Sequence, residues 1–143
     1  MGQCALALAR HAGAAVIATV RSAADHTVAT RAGAHHVVNT EGLKPDDVIE
    51  RVRAHAPDGI DHVVEVALDR NVWLDEPLLR QGGSIAAYAT AEPHPAIPFW
   101  PLLFKNVRLF FLGSDDFPLA AKLEAAYALN DALESGWPGF EIG

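Results

Sequence analysis

The 143-residue chain holds seven histidines and a single cysteine, the residue types from which metal centres and nucleophilic sites are most often built. Their spacing supports neither. No C-x-x-C or H-x-x-x-H pair occurs, Cys4 stands alone, and adjacent His35 and His36 would point to opposite faces of a strand. The histidines therefore read as surface or strand-face residues, and Cys4 as a small apolar residue on a helix. No Ser-His-Asp or Cys-His set is suggested, so no catalytic residue and no metal ligand is assigned. What keeps chemical reach is Arg21 followed by Ser22, a guanidinium that can grip phosphate bidentately beside a hydroxyl. The bland alternative is a solvated loop arginine.

Such residues need elements to hold them, and the period of the apolar residues alternates between helical and strand-like along the chain. Residues 3 to 12 read as a helix stopped at Gly13, with Leu6 and Ala9 at helical spacing, and 15 to 20 (AVIATV) as a strand buried on both faces. A helix over 24 to 32, with Ala24, Val28 and Ala32 four apart, ends at Gly33 before a short strand over 35 to 38. Pro45, Asp46 and Asp47 open a helix whose buried stripe is Val48, Ile49 and Val52.

Strand 60 to 66, helix 71 to 79, a Gly82-Gly83 turn and strand 84 to 89 follow. Residues 91 to 101 hold four prolines and read as an irregular loop. Strand 107 to 112 and a helix over 119 to 133, with Leu119, Leu123, Ala126, Asn130 and Leu133 along one side, complete the order. Strands alternating with helices call for an α/β fold, a doubly wound parallel sheet. Ligands then bind beyond the carboxyl ends of the strands, which directs attention to Arg21-Ser22, Asn39-Thr40, Ala67 to Asp69, Tyr88 to Thr90 and Leu112 to Ser114.

Composition narrows the partners. Half of the residues are hydrophobic and 20% are charged, which is globular, and the net charge of −7 leaves no basic patch for nucleic acid or an anionic membrane. No apolar stretch approaches the roughly 20 residues that span a bilayer. Met1-Gly2 leads directly into a helix pattern, with neither a basic region nor a cleavage site, so a cytoplasmic setting is expected.

Five segments, MGQCALALARHAGAAVIATVRS, RAGAHHVVNT, GIDHVVEVALDRN, LLRQGGSIAAYAT and LESGWPGFEIG, follow in an order and at a spacing that resemble zeta-crystallin-type quinone oxidoreductases of the medium-chain dehydrogenase/reductase superfamily. The resemblance runs over the whole chain and implies the Rossmann-type, dinucleotide-binding domain of such an enzyme. It also implies that this domain lacks its first strand, most of the G-x-V-G turn of which Gly2 would be the last glycine, the N-terminal catalytic domain and the final returning segment.

By the same resemblance, NADP(H) is the cofactor and hydride passes from NADPH to a quinone or enone-like small molecule. Enzymes of this fold that prefer NAD carry an acid at the end of the second strand, where this chain has Arg21 and Ser22. Thr40 falls where relatives carry a ring beside the adenine, and Asp69 matches a polar ribose contact loosely. Ala87, Tyr88, Ala89, Thr90, Phe111, Leu112 and Gly113 match strand ends that pass along the nicotinamide; Ala87 and Phe111 would equally suit a core. A homodimer through strand 107–112 is implied. The rival reading is a non-catalytic nucleotide-binding or dimerisation fragment. An S-adenosylmethionine domain of similar topology is disfavoured, because it too wants the acid that Arg21 replaces.

Overall fold

A computed structural model describes residues 2–137 of the chain. Met1 and, from the closing segment, residues 138–143 lie outside the described residues. Six helices and five strands alternate: α1 (Gly2–His11), β1 (Ile17–Val20), α2 (Ala23–Arg31), β2 (His36–Asn39), α3 (Pro45–Arg53), β3 (Ile60–Glu65), α4 (Leu68–Leu78), β4 (Leu79–Ala87), α5 (Phe99–Phe104), β5 (Arg108–Phe111) and α6 (Leu119–Glu134), with one 3₁₀ turn at Ser114–Asp116. All described strand pairs are parallel.

Local chemistry sets the boundaries. Gly13 and Gly33 take φ of +83° and +108° after α1 and α2, a region costly for residues with a Cβ. Ser22 caps α2 by accepting the Asp25 amide at 3.1 Å. Pro45 opens α3, and Asp47 accepts the Lys44 amide at 3.3 Å.

The strands form two sheets, β1-β2 and β3-β4-β5. Between them lies the break expected where a first strand is lacking: β1 pairs only with β2, and β3 only with β4. Side chains nevertheless cross the break. Val38, Val48, Val52 and Leu78 form one core cluster into which Ile17 of β1 and Ile60 of β3 both pack. A second cluster joins Leu68, Val72, Leu79, Ile85, Ala87 and Leu102 under α4 and α5, and a small third one gathers Ala18, Ala29 and Ala34 beneath α2.

Three expectations are corrected, and two helices bury residues other than their apolar repeat. Gly82-Gly83 is no turn but part of β4, which begins at Leu79: between the pairs Ile60↔Leu79 and His62↔Ser84 two steps along β3 face five along β4. Gly82 absorbs this bulge at φ +71°, and a Cβ on Gly83 would meet the Arg80 carbonyl at 3.1 Å. Helix α4 starts at Leu68 rather than residue 71, and the proline-rich segment turns helical at Phe99, where Leu102 finds the core. In α2 the buried residue is Ala29, while Val28 is exposed. The stripe predicted on α6 forms a side of the helix, yet Leu119, Leu123 and Leu133 are exposed and Ala132 is buried instead. Helical spacing fixes which residues share a side; burial needs a partner surface.

This contrast is testable. Ile85 is 0% exposed and Leu119 71%. Ile85→Ala is expected to lower unfolding free energy by about 2–5 kcal/mol, and Leu119→Ala by no more than about 0.5 kcal/mol, in chemical denaturation. Equal losses would place the core elsewhere.

Candidate functional site

Parallel pairing brings the carboxyl ends of the strands together in two groups. In the larger sheet Glu65, Ala87 and Phe111 stand side by side at the ends of β3, β4 and β5. Beyond them the chain is stitched by backbone bonds: the Tyr88 amide to the Glu65 carbonyl at 3.1 Å, the Leu112 amide to Ala87 at 2.9 Å, and the Leu68 amide to Ala89 at 3.1 Å. Asp69 closes this edge, its Oδ1 accepting the Thr90 hydroxyl and the Ala91 amide, both at 3.0 Å. The Ala91 amide is the main cause that holds the Asp69 carboxyl below its ordinary pKa.

Of the residues singled out there, Ala87 is buried, Tyr88 half-buried, and Ala89, Thr90, Phe111, Leu112 and Gly113 are exposed. The second group sits on the smaller sheet. Arg21 is exposed at the end of β1, whereas the Ser22 hydroxyl is committed to the helix cap, also donating to Asp25 Oδ2 at 2.7 Å. Thr40 is tied to the same strand end: its hydroxyl and its amide both donate to the Val20 carbonyl, at 3.0 and 2.8 Å.

Gly2 opens α1, where an added Cβ would meet nothing within 4 Å. Cys4 in the first turn of α1 acts electrostatically on Tyr88: burial first, then the charge of Glu65 and Cys4, raise the Tyr88 phenol. By contrast, the hollows of the described surface lie near the strand starts, around Arg53 and Pro77. Cations there are engaged already: Arg53 with the Pro77 carbonyl at 3.1 Å, Arg80 with Asp61, and Lys105 with Glu76 at 2.8 Å.

Two acids escaped the reading of the sequence. Glu65 is 5% exposed and Asp75 7%. Glu65 Oε1 accepts the Ala67 amide and, at 3.0 Å, the Asn71 side-chain amide, so it fixes the turn into α4. Burial, followed by the charge of Glu65, pushes the Asp75 carboxyl up to about 8. A signal existed: Asp75 stands on the same buried stripe of α4 as Leu68, Val72 and Leu78. Among the described residues no three histidine, cysteine or acidic side chains converge as metal ligands. No helix described is long and apolar enough to cross a membrane.

The Asp69 latch has a direct readout. Asp69→Ala should speed hydrogen exchange at the Ala91 amide at neutral pH while leaving Ile85 unchanged. In the wild type the latch is present above the unfolded carboxyl pKa and weakens as pH falls through the depressed folded value. An unchanged Ala91 exchange rate in the variant would show the bond to be without effect.

No curated protein sequence matches the chain. Solved structures do. Mycobacterial Rv1454c complexed with NADPH superposes with a TM-score of 0.84 at 23% identity, over 99% of this chain and 44% of that one. Escherichia coli quinone oxidoreductase complexed with NADPH gives 0.80 at 20%, over 99% and 44%, and an NAD-dependent alcohol dehydrogenase 0.75 at 22%, over 94% and 37%. At these identities the likeness establishes the fold, a Rossmann-type α/β domain, and the chain spans less than half the length of each of the three. The family profile described as zinc-binding dehydrogenase matches residues 1–129. With the strand order, the tips and this match in agreement, the chain belongs to the zinc-binding dehydrogenase family of oxidoreductases.

Proposed function

We propose that the chain is the NADP(H)-binding domain of a zinc-independent oxidoreductase that moves hydride from NADPH to a quinone or enone-like acceptor. The observation that carries the nucleotide reading is the exposed Arg21 guanidinium at the tip of β1, a strand end with no acid of its own. A carboxylate there would accept bonds from a ribose 2′-hydroxyl and repel a 2′-phosphate; a guanidinium attracts the phosphate. The structures of similar fold solved with NADPH support the same choice. The described residues do not fit a zinc ion, since they assemble no set of three ligands.

The residues present fit the nucleotide. Arg21 would hold the 2′-phosphate, Thr40 would flank the adenine, and the α1 start at Gly2 would face the pyrophosphate. Small Ala87 and Ala89, with Phe111, Leu112 and Gly113, would admit and orient the flat nicotinamide ring. Asp69, spent on Thr90 and Ala91, supports the ribose region by ordering the loop. When bound, the nicotinamide supplies the hydride; the protein positions it and keeps water away. A further parallel strand between β1 and β3, ending in a glycine turn at Gly2, would complete the cradle.

A second reading, a non-catalytic association module, rests on a different surface. Among the described strands β5 pairs on one side only, and in the preceding α5 Trp100 is 63% exposed and Phe104 71%. Such an edge invites pairing. We assign it to an edge-to-edge homodimer, compatible with either reading; a monomer by light scattering at high concentration would contradict it.

Calorimetric titration separates the readings. NADPH is expected to bind more tightly than NADH, and Arg21→Ala should weaken NADPH by about tenfold to a hundredfold, the loss of one charge-assisted contact of roughly 1.5–3 kcal/mol, with NADH nearly unchanged. Equal affinities in the wild type would refute the role of Arg21. Binding of neither nucleotide, in this chain and in one with the further strand supplied, would favour the association module.

A further inference from the structure

The pair Glu65–Asp75 presents a contradiction in hydrogen bonding that only a proton resolves. Both side chains are buried, and Asp75 lies within hydrogen-bonding reach of Glu65. Two carboxylates cannot bond to each other, because each is an acceptor. As a carboxylate, Asp75 also leaves Oδ2 sealed from solvent with no partner at all. Such an orphan is costly in a buried site. A neutral Asp75, by contrast, donates O–H to Glu65 and satisfies both atoms.

Hydrogen bonding favours the charge on Glu65. Its Oε1 already accepts two donors, the Ala67 amide and the Asn71 side chain, which stabilise a carboxylate. The surroundings offer no cation to Asp75 instead. On α3, which packs against α4, Arg53 reaches the Pro77 carbonyl; Lys105, beyond α5, is held by Glu76. Just after β4 comes Tyr88, whose phenol is raised by burial and then by the charge of Glu65.

What Glu65 holds is the site edge. Its side chain fixes Ala67, the cap of α4, at φ −151° and ψ +60°, and its backbone carbonyl takes the Tyr88 amide. The next residues, Leu68 and Asp69, bind Ala89, Thr90 and Ala91. We propose that Asp75 keeps a proton at neutral pH and, by donating it to Glu65, acts as a positioning residue for the strand tips that receive the nicotinamide half of the cofactor. The positioning half of this inference rests on the nucleotide reading above; the proton does not.

The linkage has a definite sign. Asp75 binds its proton more tightly folded than unfolded, so the stability it contributes is full below the unfolded pKa of about 4 and is lost as pH rises through the folded value of about 8. Asp75→Asn keeps a donor to Glu65 without a titrating group. The ratio of its folding equilibrium constant to that of the wild type should therefore climb between about pH 4 and pH 8, by up to about tenfold per unit, and level off above. A ratio independent of pH overturns the proposal. Should the variant not fold, carboxyl-carbon NMR of the wild type decides alone: Asp75 must titrate far above ordinary aspartates, and an Asp75 ionised at pH 5 is contrary to it.

The positioning role is read by NADPH fluorescence titration. Affinity should fall above about pH 8 in the wild type by more than in Asp75→Asn. Identical pH profiles, with a climbing stability ratio, would overturn that role and leave only the buried proton. If neither protein binds NADPH at any pH, the nucleotide reading fails and the positioning role with it, while the stability ratio still decides the proton.

Discussion

Parallel strands pair backbone with backbone along their whole length, and everything functional in this chain depends on that pairing being in register at the carboxyl ends. The line Glu65, Ala87, Phe111 across three strands places three chain segments side by side, from two of which Asp69 and Thr90 meet. One residue of slip would reverse the faces: Ile85, now in the core, would face outward. The same constraint explains the weak point of the fold. Among the described residues β1 pairs only with β2 and β3 only with β4, and side chains such as Ile17, Val38 and Ile60 pack together across the break between the sheets.

Electrostatics divides the tips into two regions with opposite demands. At β1 the cation Arg21 stands in solvent, free to meet a phosphate. At β3 the anion Glu65 is buried and must be satisfied from within, by Ala67, Asn71 and a neutral Asp75. The first arrangement leaves a cation open to a charged ligand; the second holds a backbone turn in place from within. An acid in a core is tolerated because its lone pairs are used to hold a turn.

The alternation of elements was legible because it depends on local period and on stop signals such as Gly13 and Gly33. All five strands fall where the apolar runs lie, and Val48 and Val52 are buried as their spacing requires. The bulge at Gly82-Gly83 was not legible: a glycine pair reads as a turn unless one knows that β3 runs alongside to pair with both flanks. Nor was the exposure of α6, since spacing reports a side and not a neighbour. The strand-end rule pointed to Arg21 and to Tyr88 to Thr90, which follow β1 and β4 in the structure, but could not show that Ser22 is spent on a helix cap or Asp69 on a latch. Glu65 and Asp75 were overlooked because acids are presumed exposed, although Asp75 interrupts an apolar stripe in plain view.

The central claim is that the carboxyl ends of these strands receive NADPH. The most direct measurement is a backbone amide NMR titration of the chain with NADPH, which maps even weak binding onto residues. Shifts gathered at Gly2, Arg21, Ser22, Thr40, Asp69, Ala87 to Thr90 and Phe111 to Gly113 are predicted. Shifts gathered instead around Arg53, Gly59 and Arg80 at the strand starts, or none at saturating nucleotide, would contradict it.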